Sequence, residues 1–174
     1  MQLSERTGMR KVDQNELRVN SALVVLVLVT AFVVDRWELV AFQAGALLLT
    51  TLQPGLGPYV ILYRRILRPI GMVKPDLRTD NPEPHRFATM FGTIVASIAM
   101  YLLSTGHSIT GWGLVWLLIF LASAGFAGWC AGCFTYYMMN RLGVAGLFEH
   151  APLAGTFPGA RPPKDYDQIR SDGE

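Results

Sequence analysis

The sequence has few charged residues, and it lacks the motifs of the common soluble enzymes. Only 16% of its 174 residues are charged, against roughly 25% in an average soluble domain. It contains no His-Glu-x-x-His motif, no phosphate-binding glycine loop, no supported Ser-His-Asp order and no paired carboxylates on a predicted helix face. Because 51% of its residues are hydrophobic, the chain belongs in a bilayer rather than among these soluble enzymes.

Charged residues are also missing from the middle of every apolar segment. This absence argues against a proton-coupled pump or an ion transporter, whose pathways need such residues. The net charge of only +2 gives no case for nucleic-acid binding. Two polar residues do lie inside the apolar segments, Asn20 and Gln43. They are interpreted as hydrogen-bonding bridges between helices, with a polar pocket as the alternative.

Four apolar blocks predict an all-α membrane protein with four transmembrane helices. The predicted spans cover residues 16–34, 37–53, 87–105 and 112–139, all within one transmembrane domain of residues 1–142. Asp13, followed three positions later by Glu16, is expected to start the first helix. A cleaved signal peptide and a re-entrant hairpin are the alternatives for the first blocks. The proline-rich residues 143–174 predict an extended cytoplasmic tail that orders only against a partner or the membrane surface.

The distribution of basic residues predicts the orientation. Fourteen of the 15 lysines and arginines lie in alternate segments: before the first block, between the second and third, and after the fourth. By the positive-inside rule, both termini and the middle loop are then cytoplasmic.

The middle loop contains a predicted amphipathic helix at about residues 58–68. Pro58 suits the first turn of this helix. Arg64, Arg65 and Arg68 fall on one side of it and apolar side chains on the other. This pattern favours a cytoplasmic interfacial helix whose arginines contact lipid phosphates or a partner. The alternative is that the chain continues the second helix beyond a proline kink.

The two cysteines of the chain, Cys130 and Cys133, form a Cys-x-x-Cys motif near the predicted inner end of the fourth helix. Their Cα atoms are expected about 5 Å apart, which permits a disulfide. A permanent disulfide is not expected on the reducing cytoplasmic side, so the pair is a candidate redox or sulfur-carrying site. A thioredoxin fold is not predicted, because the motif follows an apolar helix instead of opening one. A helix C-terminal end disfavours thiolates, and compensating groups are expected among His85, Arg86 and Arg141.

Small residues in the predicted fourth helix suggest a different interpretation. Ala124, Gly128 and Gly132 recur every four residues and predict a helix-packing stripe. In such a stripe the cysteines can be simple packing residues. No metal site is predicted, because sequence spacing adds only His85 to the cysteines and zinc usually takes four ligands.

Three motifs resemble a known family when they are taken in order. They are Arg64-Arg65-Ile66-Leu67-Arg68-Pro69, then Pro82-Glu83-Pro84-His85-Arg86-Phe87-Ala88, and the Cys-x-x-Cys followed by Tyr136. Over roughly residues 15–142 the chain resembles the bacterial integral membrane family catalogued as domain of unknown function 4395. The resemblance implies a small multi-helix protein of the bacterial cytoplasmic (inner) membrane, associated in some members with thioredoxin-like or sulfur-handling proteins. It brings no established activity.

Two functional hypotheses follow. The first is a membrane thiol-redox or sulfur-relay protein that uses Cys130 and Cys133 with a soluble thioredoxin-like partner. The second is a non-catalytic accessory subunit that docks to a larger membrane complex. The sequence does not identify a cofactor for either.

Overall fold

Helices form most of the protein, and a short two-stranded sheet lies at one end of the helix bundle. The computed structural model describes residues 10–142 and 157–164. In chain order the elements are β1 (Arg10–Asp13), α1 (Gln14–Val33), α2 (Trp37–Leu52), a 3-10 turn (Pro54–Leu56), α3 (Pro58–Leu62) with a π-helical turn (Tyr63–Leu67), β2 (Leu77–Asp80), α4 (Pro82–Ser104), α5 (Ser108–Ala127) and α6 (Ala131–Arg141).

Three of the described helices, α1, α4 and α5, are long and apolar enough to cross a membrane. Helix α2 is also apolar but has only 16 residues. At 1.5 Å per residue it extends about 24 Å, somewhat less than the roughly 30 Å hydrocarbon core of a bilayer. The predicted mainly helical architecture is therefore confirmed, whereas the number of four spans stays a prediction.

The core lies between α1, α2, α4 and α5. Short links join α1 to α2 and α4 to α5, so these neighbours run antiparallel. Ala31, Ala96 and Ala99 are completely buried and let the helix backbones approach closely. Gln43 is also fully buried, and its Oε1 accepts a 2.6 Å hydrogen bond from the Tyr59 hydroxyl. Gln43 thus bridges α2 and α3, in line with its interpretation from the sequence.

The sheet was not expected from the sequence, and it connects distant parts of the chain. Strands β1 and β2 pair antiparallel, with Arg10 opposite Asp80 and Asp13 opposite Leu77. Asp13 caps α1 by accepting a 3.0 Å hydrogen bond from the Asn15 N–H, as its position in the sequence suggested. Strand β1 leads directly into α1 and β2 leads into α4, so the sheet links the starts of these two helices at one end of the bundle. We call this end of the bundle the strand end.

The predicted continuous helix over residues 112–139 is wrong. Helix α5 ends at Ala127 because Gly128 adopts a left-handed conformation with φ of 110°. Its N–H caps the helix by donating to the carbonyls of Ala124 and Gly125, each at 3.1 Å. After two further residues the chain begins a new helix, α6. The small-residue stripe is therefore interrupted at Gly128 and does not run along a single helix.

The loop after α2 contains the helix expected near residues 58–68. Pro58 is in its first turn, and Tyr59 and Tyr63 are buried against the bundle. Ile66 and Ile70 remain 47% and 66% exposed. The helix changes to π geometry at Tyr63, so a regular helical wheel does not describe its second half. Its location at a membrane interface stays a prediction.

Part of the C-terminal tail packs on the bundle. In residues 157–164, which we call the C-terminal strap, Ala160 forms an isolated antiparallel bridge with Trp129. The Arg161 N–H donates to the Gly128 carbonyl at 3.0 Å. The expectation that the tail orders only against a partner or the membrane surface is therefore wrong for these residues. The rest of the predicted tail lies outside the described residues.

Candidate functional site

The Cys-x-x-Cys motif opens a helix. Cys130 has an extended conformation and is the N-cap of α6, where its Sγ accepts a 3.2 Å hydrogen bond from the Cys133 N–H. The Cα atoms of the two cysteines are 5.2 Å apart, close to the expected distance, and their sulfur atoms form a disulfide. Cys130 is half-buried, whereas Cys133 is only 3% exposed.

The position of the cysteines at a helix N-terminus reverses the effect of the helix dipole that was expected from the sequence. With the motif placed inside a long helix, the nearby C-terminal end would disfavour a thiolate. The break at Gly128 instead puts both cysteines in the first turn of α6. The unpaired N–H groups and the dipole of a helix N-terminus favour negative charge, so this end of α6 stabilises a thiolate.

A histidine and an aspartate lie behind the cysteines. The Sγ of Cys133 is 3.4 Å from Nδ1 of His85, and Nε2 of His85 is 3.0 Å from Oδ2 of Asp80. An ionised carboxylate can only accept hydrogen bonds, so it requires the proton of His85 to be on Nε2. Nδ1 is then free to accept a proton from the Cys133 thiol when the pair is reduced.

Asp80 is held in place by elements far apart in the sequence. It is 6% exposed, and its carboxylate accepts hydrogen bonds from Nε2 of Gln14 at 2.9 Å and from the Asn81 N–H at 2.8 Å. Gln14 is the first residue of α1, and Asp80 is the last residue of β2. Asn81 then caps α4, whose first turns carry His85. The sheet and two helix starts thus fix the order Gln14, Asp80, His85, Cys133.

A close contact between α4 and α6 brings His85 to the cysteines. A Cβ atom placed on Gly132 would lie 2.5 Å from Cβ of Ala88, so only glycine permits this separation of the two helices. Tyr136 of α6 packs edge-on against Phe87 of α4, with ring centroids 5.9 Å apart. Gly132 therefore lies in the helix contact that positions the site.

Two adjoining cavities reach the disulfide from the interior of the bundle. Their volumes are about 120 and 150 Å³, and both are lined by Cys130, Asn20 and Thr89. The smaller one is also lined by His85 and Arg161. The Oδ1 atom of Asn20 is buried and has no hydrogen-bond partner among the described residues. For Asn20 the structure thus favours the alternative of a polar pocket over a bridge between helices.

The C-terminal strap adds positive charge beside the cysteines. The guanidinium of Arg161 lies beside Gly128, and its buried Nε has no hydrogen-bond partner in the described part of the chain. Burial lowers the pKa of Arg161, and the nearby cations Arg18 and Arg78 lower it further. The positive charge of Arg161 on the side of the cavity favours binding of a thiolate or a small anion there.

The other predicted site residues are arginines at the protein surface. Arg86 and Arg141 are exposed, and the hydrogen bonds found in residues 10–142 and 157–164 do not join them to either cysteine. Arg64 pairs with Glu16, with N–O distances of 2.7 and 3.0 Å. Arg65 and Arg68 are exposed, so their contact with lipid phosphates or a partner stays a prediction.

Sequence reasoning selected Cys130, Cys133 and His85, but it missed Gln14, Asp80 and the strap. Asp80 precedes Asn81-Pro82, which is a typical helix start. This pattern could have indicated that Asp80 lies about one helical turn before His85. Nothing in the sequence pattern indicated that Gly159 and Arg161 return to the motif.

Comparison with known proteins gives a family but no characterised relative. No curated protein and no solved structure matches the chain. The model of one family, described as domain of unknown function (DUF4395), matches residues 12–141, which include the second half of β1, all of β2, every described helix and the cysteine pair. The resemblance noted in the sequence is thereby confirmed, and the chain belongs to this family.

Proposed function

We propose that the protein is a membrane-embedded thiol–disulfide exchange protein whose redox pair is Cys130 and Cys133. The main support is one arrangement: Cys130 caps α6 while Cys133 contacts His85, which in turn contacts Asp80. A helix N-terminus that stabilises a thiolate and a histidine that accepts a thiol proton both promote such exchange, because the thiolate is the attacking species.

The two cysteines take different roles in this proposal. Cys130 is partly exposed, whereas Cys133 is buried, so Cys130 forms the mixed disulfide with a partner. Cys133 is 3% exposed and contacts Nδ1 of His85, so it is the resolving cysteine. His85 acts as its base, and Asp80 keeps the histidine in the correct tautomer.

The reaction exchanges two electrons and two protons with a partner dithiol. A partner thiolate attacks Sγ of Cys130, which breaks the Cys130–Cys133 bond and releases Cys133 as a thiolate that takes a proton. A second partner thiolate then attacks the mixed disulfide and releases Cys130. The partner leaves oxidised, and both cysteines are reduced. In the opposite direction, His85 removes the proton of Cys133 before Cys133 attacks the mixed disulfide.

The proposal places the site at the cytoplasmic face of a bacterial inner membrane. It takes α1, α2, α4 and α5 as four spans, with the helix at Pro58–Leu67 in the interface. This arrangement is supported by three helices of sufficient length and by the asymmetry of basic residues. The strand end, with Cys130, then faces a soluble thioredoxin-like partner.

Exchange can be measured on the full chain in lipid nanodiscs. The protein is equilibrated with dithiothreitol buffers or mixed with reduced thioredoxin, and free thiols are counted by maleimide mass tagging. We expect the disulfide form of the wild type to oxidise reduced thioredoxin. When reduced Cys133→Ser is instead mixed with oxidised thioredoxin, the Cys130 thiolate should attack the thioredoxin disulfide and form a mixed disulfide, releasing one thioredoxin thiol. Cys130→Ser should form far less of this mixed disulfide, because the remaining sulfur is buried.

The double variant Cys130→Ser, Cys133→Ser separates this proposal from an accessory subunit. A redox protein loses all exchange in this variant, whereas an accessory subunit still assembles with its complex and still supports the function of that complex. Absence of exchange by the wild type with both dithiothreitol and thioredoxin would overturn the proposal.

A further inference from the structure

We propose that the reduced protein binds one Zn²⁺ or Cu⁺ ion through Sγ of Cys130, Sγ of Cys133 and Nδ1 of His85. These three atoms all lie within 4.8 Å of one another. No four-ligand zinc set is predicted from the spacing of ligand residues in the sequence. The fold supplies three ligands, because the contact of α4 with α6 brings His85 to the cysteines.

The distances are close to those around a bound ion. Zinc–sulfur and zinc–nitrogen bonds of about 2.3 and 2.1 Å in a tetrahedral site separate the ligand atoms by about 3.6 to 3.8 Å. Cys133 Sγ and His85 Nδ1 are already 3.4 Å apart. Once the S–S bond is reduced, rotation of the Cys130 side chain can separate the two sulfur atoms and complete a three-ligand face.

Asp80 occupies the position of an outer carboxylate. Histidines that bind metals almost always donate their second ring N–H to a carboxylate, a carbonyl or water, which fixes the tautomer and the ring orientation. Here Nε2 of His85 is 3.0 Å from Asp80, and Nδ1 faces the sulfur atoms. Asp80 is itself held by Gln14 and by a backbone N–H, so the histidine is oriented before an ion arrives.

The donor set selects the type of ion. Two thiolates and an imidazole favour Zn²⁺ and Cu⁺ over Mg²⁺ and Ca²⁺, which prefer oxygen ligands. The N-terminus of α6 stabilises the thiolates that these metals require.

A fourth position is open toward the interior of the protein. Cys130 and His85 both line the cavity of about 120 Å³. A water molecule takes about 30 Å³ of this volume, so the cavity admits a water or a small exogenous ligand as the fourth ligand. Zn²⁺ would bind a fourth ligand at this position, whereas Cu⁺ can be three-coordinate with the two cysteines and His85 alone. The open position is typical of sites that exchange or activate a ligand rather than of closed structural sites.

Metal binding and the disulfide exclude each other, because the S–S bond uses both sulfur atoms. The proposal needs only that both cysteines are reduced, and it does not rest on the proposed exchange reaction. A protein that binds the ion but exchanges no electrons would support this inference and overturn the proposed function. A protein that exchanges electrons but binds no ion would support the proposed function and overturn this inference.

The test uses the full chain purified without a histidine tag, reduced anaerobically and freed of reductant. Zn²⁺ is titrated in competition with a chromophoric chelator, Cu⁺ is titrated in competition with bicinchoninate, and Co²⁺ serves as a spectroscopic probe. We expect one ion per chain and a thiolate-to-cobalt charge-transfer band. After oxidation to the disulfide, the protein should bind no ion.

Matched variants assign the ligands. His85→Gln should weaken binding at least tenfold, whereas His107→Gln, in the exposed turn before α5, should not change it. Asp80→Asn should weaken binding about 10- to 100-fold if Asp80 orients the histidine. Circular dichroism of each variant identifies loss of the fold. Stoichiometric binding of neither Zn²⁺ nor Cu⁺ by the folded, reduced wild type would overturn the proposal, as would equal affinity in folded His85→Gln.

Discussion

Gly159 lies directly against Cys130. The Cys130 N–H donates to the Gly159 carbonyl at 2.8 Å, and a Cβ atom on Gly159 would lie 2.7 Å from the Cys130 carbonyl oxygen. Gly159 also has a left-handed φ of 81°. The C-terminal strap therefore covers the cysteine motif at a point where the backbones are too close for any side chain.

Gly159→Ala should displace the strap and make Cys130 more reactive. An alanine in the left-handed region costs about 1–2 kcal/mol, and the contact with Cys130 adds to this strain. We expect iodoacetamide to modify Cys130 of the reduced Cys133→Ser background about tenfold faster, since each 1.4 kcal/mol corresponds to a factor of ten. Gly71→Ala is the matched control, with φ of 78° and no atom within 4 Å of the added Cβ. Equal rates in the two variants would show that the strap does not shield the cysteine.

Gly128→Ala tests whether the break between α5 and α6 positions the motif. Gly128 has φ of 110°, and its added Cβ would make only an ordinary contact with Arg161 at 3.6 Å. Its effect therefore comes from backbone strain of about 1–2 kcal/mol. Gly106→Ala, with φ of 85° and open space around it, carries similar strain at the far end of the bundle.

Both variants should lower the thermal midpoint in detergent by similar amounts. Only Gly128→Ala should change the alkylation rate of Cys130, because only Gly128 precedes the cap of α6. If Gly106→Ala changes this rate as much, the break has no specific role in the site.

The apolar blocks predicted where the helices lie, because hydropathy averages over a whole helix and tolerates errors at its ends. The break at Gly128 was missed for a physical reason. Glycine suits both a small-residue packing stripe and a left-handed helix cap, and only the backbone angle distinguishes them. The error had consequences for the site, since it reversed the sign of the helix dipole at Cys130.

The candidate site was only partly predictable. Cys130 and Cys133 are the only cysteines in the chain, and His85 follows from the up-and-down order of the helices. Gln14 and Asp80 are 66 residues apart and meet only through the pairing of β1 with β2. Each of these strands has four residues, too few to show an alternating pattern. Long-range contacts made by such short segments have no local signal in one sequence.

Gly132→Ala should loosen the contact between α4 and α6. The added Cβ would overlap Ala88, at 2.5 Å from its Cβ and 2.7 Å from its Cα, so the helices must separate. Overpacking of this kind typically costs about 1–3 kcal/mol. Gly113→Ala in α5 is the control, because its Cβ would meet nothing within 4 Å. A lower thermal midpoint is expected for Gly132→Ala alone, and equal midpoints would contradict the packing role of Gly132.

His85→Gln in the reduced Cys130→Ser background tests whether His85 accepts the proton of Cys133. Nδ1 of His85 is 3.4 Å from Cys133 Sγ, and loss of this base should leave the thiol protonated to higher pH. We expect the rate of Cys133 modification by a small thiosulfonate to fall about tenfold at pH 7. Positioned bases contribute about 10²–10⁴-fold in full catalysis. The expected effect is smaller here, because the base acts only on the ionisation of the thiol.

The pH profile separates this role from a merely structural one. A base shifts the midpoint of the profile to higher pH, so the two rates converge in alkaline solution, where the thiol ionises unaided. A change in packing would alter access to Cys133, which is 3% exposed, and would scale the rate by the same factor at every pH. Asp80→Asn should shift the midpoint in the same direction by a smaller amount, because it removes the group that keeps the proton of His85 on Nε2.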